Sequence, residues 1–153
     1  PVILYGVVVQ FTVGNVVYKS RGGGLVTVSA ANDRDSVIEI PATVKYQGVS
    51  YRVDELEDSA FAVHPFLKRV VMPDNPKLHV MKHVFDGSPN LESIYFRSKT
   101  PPRLGNAIWK GTMDDIFEAL SFRKIVLYVP KGSKDAYCRS PWGHFTYIVE
   151  FEK

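Results

Sequence analysis

The chain has 153 residues, 45% of them hydrophobic and 23% charged, with eight Tyr, nine Phe and a formal net charge of +3. That is the length of one domain, with enough apolar and aromatic side chains for a sizeable core, which excludes disorder and any need for disulfide staples. Acidic and basic residues are interspersed, unlike a nucleic-acid-binding footprint; the single Cys138 excludes an internal disulfide; and no apolar run approaches the roughly 20 residues of a membrane-spanning helix.

The first 53 residues read as β-structure. Short runs rich in Val, "VVVQFTV", "VVYKS" and "LVTVSA", are separated by Gly14-Asn15 and by "RGGG" from Arg21 to Gly24, both turn signals. They predict an antiparallel meander. "VIEIP" predicts a short strand closed by a proline that has no N–H to give to a ladder. "VKYQGVSYRV" alternates around Gln47-Gly48 and predicts a second hairpin.

After Val53 the pattern changes to a repeat. "SAFAVHPFLKRVVMP" (Ser59 to Pro73) and "VFDGSPNLESIYF" (Val84 to Phe96) align at an offset of 24 residues. Leu56, Phe61, Leu67, Val70 and Met72 then match Val80, Phe85, Leu91, Ile94 and Phe96, apolar in both copies. A period of 20–29 residues with Leu-x-x-Ile-x-Ile spacing signals a leucine-rich solenoid, in which one unit cannot bury its apolar side alone and stacked units share a core. Phe61 and Phe85 are expected to fill the middle of adjacent coils, with Val70 and Ile94 on neighbouring strands.

A third coil is irregular. Pro101-Pro102 predicts an extended loop, "TMDDIFEAL" a short helix with capping-box-like spacing between Thr112 and Asp115, and Ile125 to Val129 a strand ended by Pro130. A helical turn is expected from Ser133, and "FTYIVEFE" predicts a last strand.

These residues carry a likeness. "DSAFAVHPFLKRVVMP", "HVFDGSPNLESIYF" and above all "LYVPKGSKDAY", followed by a Trp, resemble the BspA-like leucine-rich-repeat family of bacterial surface proteins, over roughly Val37 to Phe151. The family's frequent Cys is replaced by His64 in one repeat and Ser88 in the next. In the third repeat either Trp109 or Phe117 takes the Phe position. The resemblance implies a strand-dominated α/β fold, a short right-handed leucine-rich solenoid with an N-terminal β-meander or hairpin cap. One domain is expected over 1–153, with the cap in 1–53, the repeats in 54–130 and a C-terminal cap in 131–153.

The resemblance also implies a non-enzymatic adhesion or binding module without cofactor or metal, secreted or at the bacterial cell surface, with an export signal upstream of Pro1. The ligand it implies is an extracellular protein, or alternatively a glycan; a structural spacer with no ligand is the remaining reading. In the solenoid, outward residues of the stacked strands would face the ligand: Lys68, Val71, Glu92 and Tyr95, joined by Arg97 and Trp109. Oligomeric state is left open.

Other chemistries fit poorly. His79 and His83 have the spacing of a helical zinc pair, but lack the Glu of a metalloprotease and a third ligand. Ser121 to Lys124, "SFRK", matches the Ser-x-x-Lys of penicillin-binding proteins, yet it is expected to run into a strand and lacks the partner motifs. Asp114, Asp115 and Glu118 suit the first turns of a helix better than a paired-carboxylate site. Trp109, Trp142, Tyr95, Tyr128 and Tyr147 are candidates for a binding patch, and Arg97, Lys99 and Arg103 for a basic rim around the proline loop.

Overall fold

The computed structural model describes residues 9–32, 34–57, 60–61, 64–81, 84–85, 88–104 and 121–152. Twelve strands are described: β1 Gln10–Val13, β2 Val16–Gly22, β3 Leu25–Ala31, β4 Val37–Glu39, β5 Thr43–Tyr46, β6 Val49–Leu56, β7 Arg69–Val71, β8 His79–Val80, β9 Ser93–Tyr95, β10 Arg103–Leu104, β11 Val126–Pro130 and β12 Tyr147–Phe151. Two short helices, α1 Ser121–Lys124 and α2 Lys134–Arg139, and a 3-10 turn at Pro141–His144 complete the description. No helix among the described residues is long and apolar enough to cross a membrane.

The strands form two sheets. In the first, the order is β1-β2-β3-β6-β8-β10, with β5 paired to β6; in the second it is β12-β11-β9-β7-β4. Successive coils alternate between them, so that β3, β6, β8 and β10 stack in parallel on one side, and β4, β7, β9 and β11 on the other. The expected pairs meet: Leu56 lies beside Val80 and Val70 beside Ile94. Leu104, a further 24 residues on, continues the Leu56–Val80 column in β10. The ring centroids of Phe61 and Phe85 are 5.7 Å apart, and all these side chains are buried.

The hairpins are where the turn residues put them. Gln47 (φ 50°) and Gly48 (φ 79°) both occupy left-handed backbone, as the two-residue turn between β5 and β6 demands. The antiparallel meander is also as expected, β1 with β2 and β2 with β3. The N-terminal region nevertheless does more than cap. β3 and β4 already occupy coil positions, parallel to β6 and β7, and β6 runs through position 53. β1 and β2 extend beyond the stack, and β5 lies antiparallel to β6 outside it. Phe11, Tyr18, Tyr46 and Tyr51 close this end as an aromatic cluster, with Phe11 and Tyr46 stacked at 4.3 Å.

Polar groups inside the solenoid bond across coils. Asn75 donates through Nδ2 to the Val53 carbonyl at 3.0 Å, and its Oδ1 accepts from the Lys77 amide. His64 and Ser88, one repeat apart, do the same. Buried His64 pairs through Nε2 with the Ala31 carbonyl at 3.0 Å, and the Ser88 hydroxyl donates to the Phe61 carbonyl at 2.8 Å. Side chains of the connecting loops thus satisfy backbone carbonyls of distant segments.

The C-terminal end is sealed by α2 and the 3-10 turn, which carry the chain from β11 to the parallel β12. Trp142 is fully buried, T-shaped on Phe96 at 4.8 Å, and its Nε1–H donates to the Pro102 carbonyl at 2.9 Å. It is a core residue and not part of a surface patch. Tyr137 is likewise buried and donates its hydroxyl to the Ser98 carbonyl at 2.7 Å. The helix expected over 112–120 lies outside the described residues. "SFRK" forms α1, a helical turn ahead of β11, instead of running directly into the strand.

Burial also sets an alkaline limit on the fold. It pushes the Tyr18 phenol up to about 12. Desolvation, with a smaller contribution from Asp74, raises Tyr137 further. Both phenols stay neutral in the folded chain while their unfolded counterparts ionise near pH 10, so their contribution to stability is fully present below about pH 10 and is lost as the pH rises toward 12. In an alkaline titration followed by circular dichroism and tyrosinate absorbance, the last tyrosines should ionise only as the fold is lost. Full ionisation of all tyrosines with the fold intact would contradict their burial.

Candidate surface for ligand binding

Side chains alternate across each strand, so the outward positions of the second sheet form rows. One row runs Val37, Arg69, Ser93, Val126, Tyr147, and the next Glu39, Val71, Tyr95, Tyr128, Val149. The inward positions between them, Ile38, Val70, Ile94, Leu127 and Ile148, are buried. The outward rows therefore depend on the same period that builds the core.

The centre of this face is an aromatic stack. Tyr95 and Tyr128 lie ring on ring at 4.3 Å with 11° between planes, and Phe151 meets Tyr95 edge-on at 5.7 Å. The Arg69 guanidinium lies over the Tyr95 ring, 5.1 Å from its centroid. No carboxylate of the described residues pairs with Arg69, so the aromatic ring holds its charge in place without neutralising it. Around the stack stand exposed apolar side chains: Val37 (48% exposed), Tyr147 (53%) and Val149 (44%).

Five of the six expected site residues belong to this sheet or its rims. Val71 and Tyr95 point outward; Lys68 and Glu92 immediately precede β7 and β9, where the Lys68 carbonyl accepts from the Glu92 amide at 2.8 Å. Arg97 follows β9 and forms an ion pair with Glu39 at 2.5 Å. Trp109, like Phe117, lies outside the described residues. Arg69 was not among the expected residues. Its signal in the sequence was its place two residues before Val71, which puts both on one face. Of the three basic residues around the proline loop, Arg97 follows β9 of the second sheet and Arg103 lies on β10 of the first.

The outer face of the first sheet has a different character. Lys19, Thr27, Glu55, His79 and Arg103 line up across β2, β3, β6, β8 and β10. Lys19 pairs with Glu57 at 3.3 Å, Arg21 with Asp54 at 2.6 Å, and Thr27 donates to Glu55. The hydrogen bond to Asp54, with the charges of Glu55 and Asp54, keeps the Arg21 guanidinium protonated even more firmly than usual, against a smaller opposing effect of burial. This face is polar and largely paired within itself.

Of the catalytic and metal candidates, Asp114, Asp115 and Glu118 lie outside the described residues. His79 is half-buried in β8, whereas His83 lies outside the described residues. Among the described residues no group of three or more His, Cys, Asp or Glu could hold a metal ion. Lys124 donates its ammonium to the Pro89 carbonyl, on the loop before β9.

No protein-family model and no curated protein matches the chain. Solved structures do. A leucine-rich repeat protein from Bacteroides capillosus superposes with a TM-score of 0.56 at 17% identity, over 93% of this chain and 98% of that one. A leucine rich cell surface protein from Faecalibacterium prausnitzii superposes with a TM-score of 0.55 at 13% identity, over 94% of this chain and 43% of that protein, less than half its length. The two sheets, the 24-residue offset and these superpositions agree: the chain has the fold of bacterial leucine-rich-repeat proteins, a strand-dominated solenoid of about four turns.

Proposed function

We propose that this chain is a non-enzymatic binding module of the BspA-like type, secreted or held at a bacterial cell surface, which recognises a protein ligand through the outer face of its second sheet. The carrying observation is the Arg69–Tyr95–Tyr128 stack, ringed by exposed Val37, Tyr147 and Val149. Tyrosine and arginine are the residues that dominate protein-binding hot spots, and an ordered stack loses little side-chain freedom on binding. That one structural neighbour is described as a cell surface protein supports the compartment.

A glycan ligand is less well supported. Sugar rings stack on free aromatic faces, and Arg69 and Tyr128 already cover both faces of Tyr95. Purified protein applied to an array of immobilised extracellular proteins and to a glycan array separates the readings. Binding to a protein should weaken by about 30-fold or more in Tyr95→Ala or Arg69→Ala, the loss of a 2 kcal/mol hot spot, with the melting temperature nearly unchanged for Arg69→Ala. Affinity unaffected by both substitutions counts against this face. Binding to glycans alone counts against a protein ligand, and binding to neither array favours a spacer.

A further inference from the structure

The two sheets end at different places on the N-terminal side. The first continues past β3 into β2 and β1, whereas β4 is the last strand of the second among the described residues. The step leaves a groove of about 370 Å³ between the β1–β2 turn and β4, with Val13, Val16, Tyr18, Ile38, Pro41 and Val44 among its lining. The wall of that groove is a strand edge. Toward β7, the Ser36 carbonyl accepts from the Arg69 amide at 3.0 Å and the Ile40 amide donates to the Val71 carbonyl at 2.9 Å. Alternation therefore turns the backbone N–H and C=O groups of Val37 and Glu39 the other way. There, among the described residues, no strand pairs with them.

We propose that the free edge of β4 is an acceptor site for an extended, aliphatic segment of another polypeptide. The segment would add a sixth strand to the second sheet and lay alternate side chains into the groove. This site is an edge, and its occupation does not depend on the outer-face reading above.

The chemistry of the site selects this occupant. Donor and acceptor groups on alternate residues match an extended backbone, while a helix has already used its own groups internally and has a diameter near 10 Å. The apolar lining would leave sugar hydroxyls without partners. Glu39 is the one acidic or basic residue of the lining, and Arg97 already holds its carboxylate, so a neutral side chain fits better than a charged one. A second copy of this chain fits less well. Its open edge in the same sheet is β12, and α2 packs against that strand, adding bulk that the step beneath the β1–β2 turn would have to admit.

The test uses the whole chain, isotope-labelled for NMR, with a blocked peptide of alternating Thr and Val as probe. At free peptide about ten times Kd, exchange of the Val37 and Glu39 amides should slow about tenfold, as 1 + [L]/Kd requires, while amides of the first sheet are unaffected. Two N-methylated versions of the peptide, one for each set of alternate residues, should behave differently. One binds and the other does not, because only one set turns its N–H groups toward β4. Val37→Pro removes an N–H that β7 does not use and should abolish the effect with the fold retained. The N-methyl comparison stands even if that variant misfolds. No protection at millimolar peptide, or equal binding by both N-methylated peptides, overturns the proposal. So does protection that grows with protein concentration in the absence of peptide alongside a rise in sedimenting mass, which would identify a second copy as the occupant. Loss of array binding in Tyr95→Ala leaves this experiment unchanged, so the two readings fail separately.

Discussion

Phe61→Ala should destabilise the chain by about 3–5 kcal/mol, the usual range for truncating a fully buried aromatic residue. For a domain of this size that corresponds to a melting temperature lower by on the order of 10 °C. Phe61 is unusually placed because ring and backbone both serve the stacking of coils. Its ring contacts Phe85 of the next coil and meets His64 edge-on; its amide donates to the Val84 carbonyl at 2.8 Å, and its carbonyl accepts from Ser88. The cavity would open between two coils, where neither can collapse without losing register. Denaturant unfolding should show a lower midpoint with an unchanged slope. A cost under about 1 kcal/mol would mean the site can relax, and the coil-to-coil core would be weaker than its burial indicates.

Trp142→Ala should cost a similar amount, about 3–5 kcal/mol, but through a different mechanism. The indole fills the C-terminal end of the core against Phe96 and Phe145, and it satisfies the Pro102 carbonyl. Trp142→Phe retains most of the apolar contact and leaves that carbonyl unpaired, so its cost should be smaller, about 1–3 kcal/mol. The difference between the two variants isolates packing from hydrogen bonding. Equal costs would show that the hydrogen bond, and not the packing, anchors the proline loop. The neighbouring glycine allows no slack: a Cβ on Gly143 would collide with the Cys138 carbonyl oxygen.

The parts of this architecture legible in the sequence are those set by local periodicity. The 24-residue offset placed Phe61 over Phe85 and Val70 beside Ile94, and strand alternation turned Val71 and Tyr95 outward. What escaped depends on contacts between distant segments. "SAANDRDSVIEIP" falls outside the 24-residue offset, so the period does not mark β3 and β4 as a coil; their parallel pairing with β6 and β7 does. Asn75 reads as a turn residue between prolines until Val53 is brought beside it. Trp142 reads equally well as a surface aromatic, because the partners that bury it, Phe96 and Pro102, lie some forty residues earlier. Arg69 looks like an ordinary exposed charge until the neighbouring strand supplies the ring beneath it.

The stacked coils share one property with consequences for the lineage of this chain. Each unit pairs with its immediate neighbours, and among the described residues no strand of the aromatic cluster is a neighbour of β11 or β12, which the helical plug joins. Duplicating or deleting a whole 24-residue unit between them would preserve every surviving interface in kind. Tandem copying can therefore lengthen or shorten the outward rows without inventing a new core.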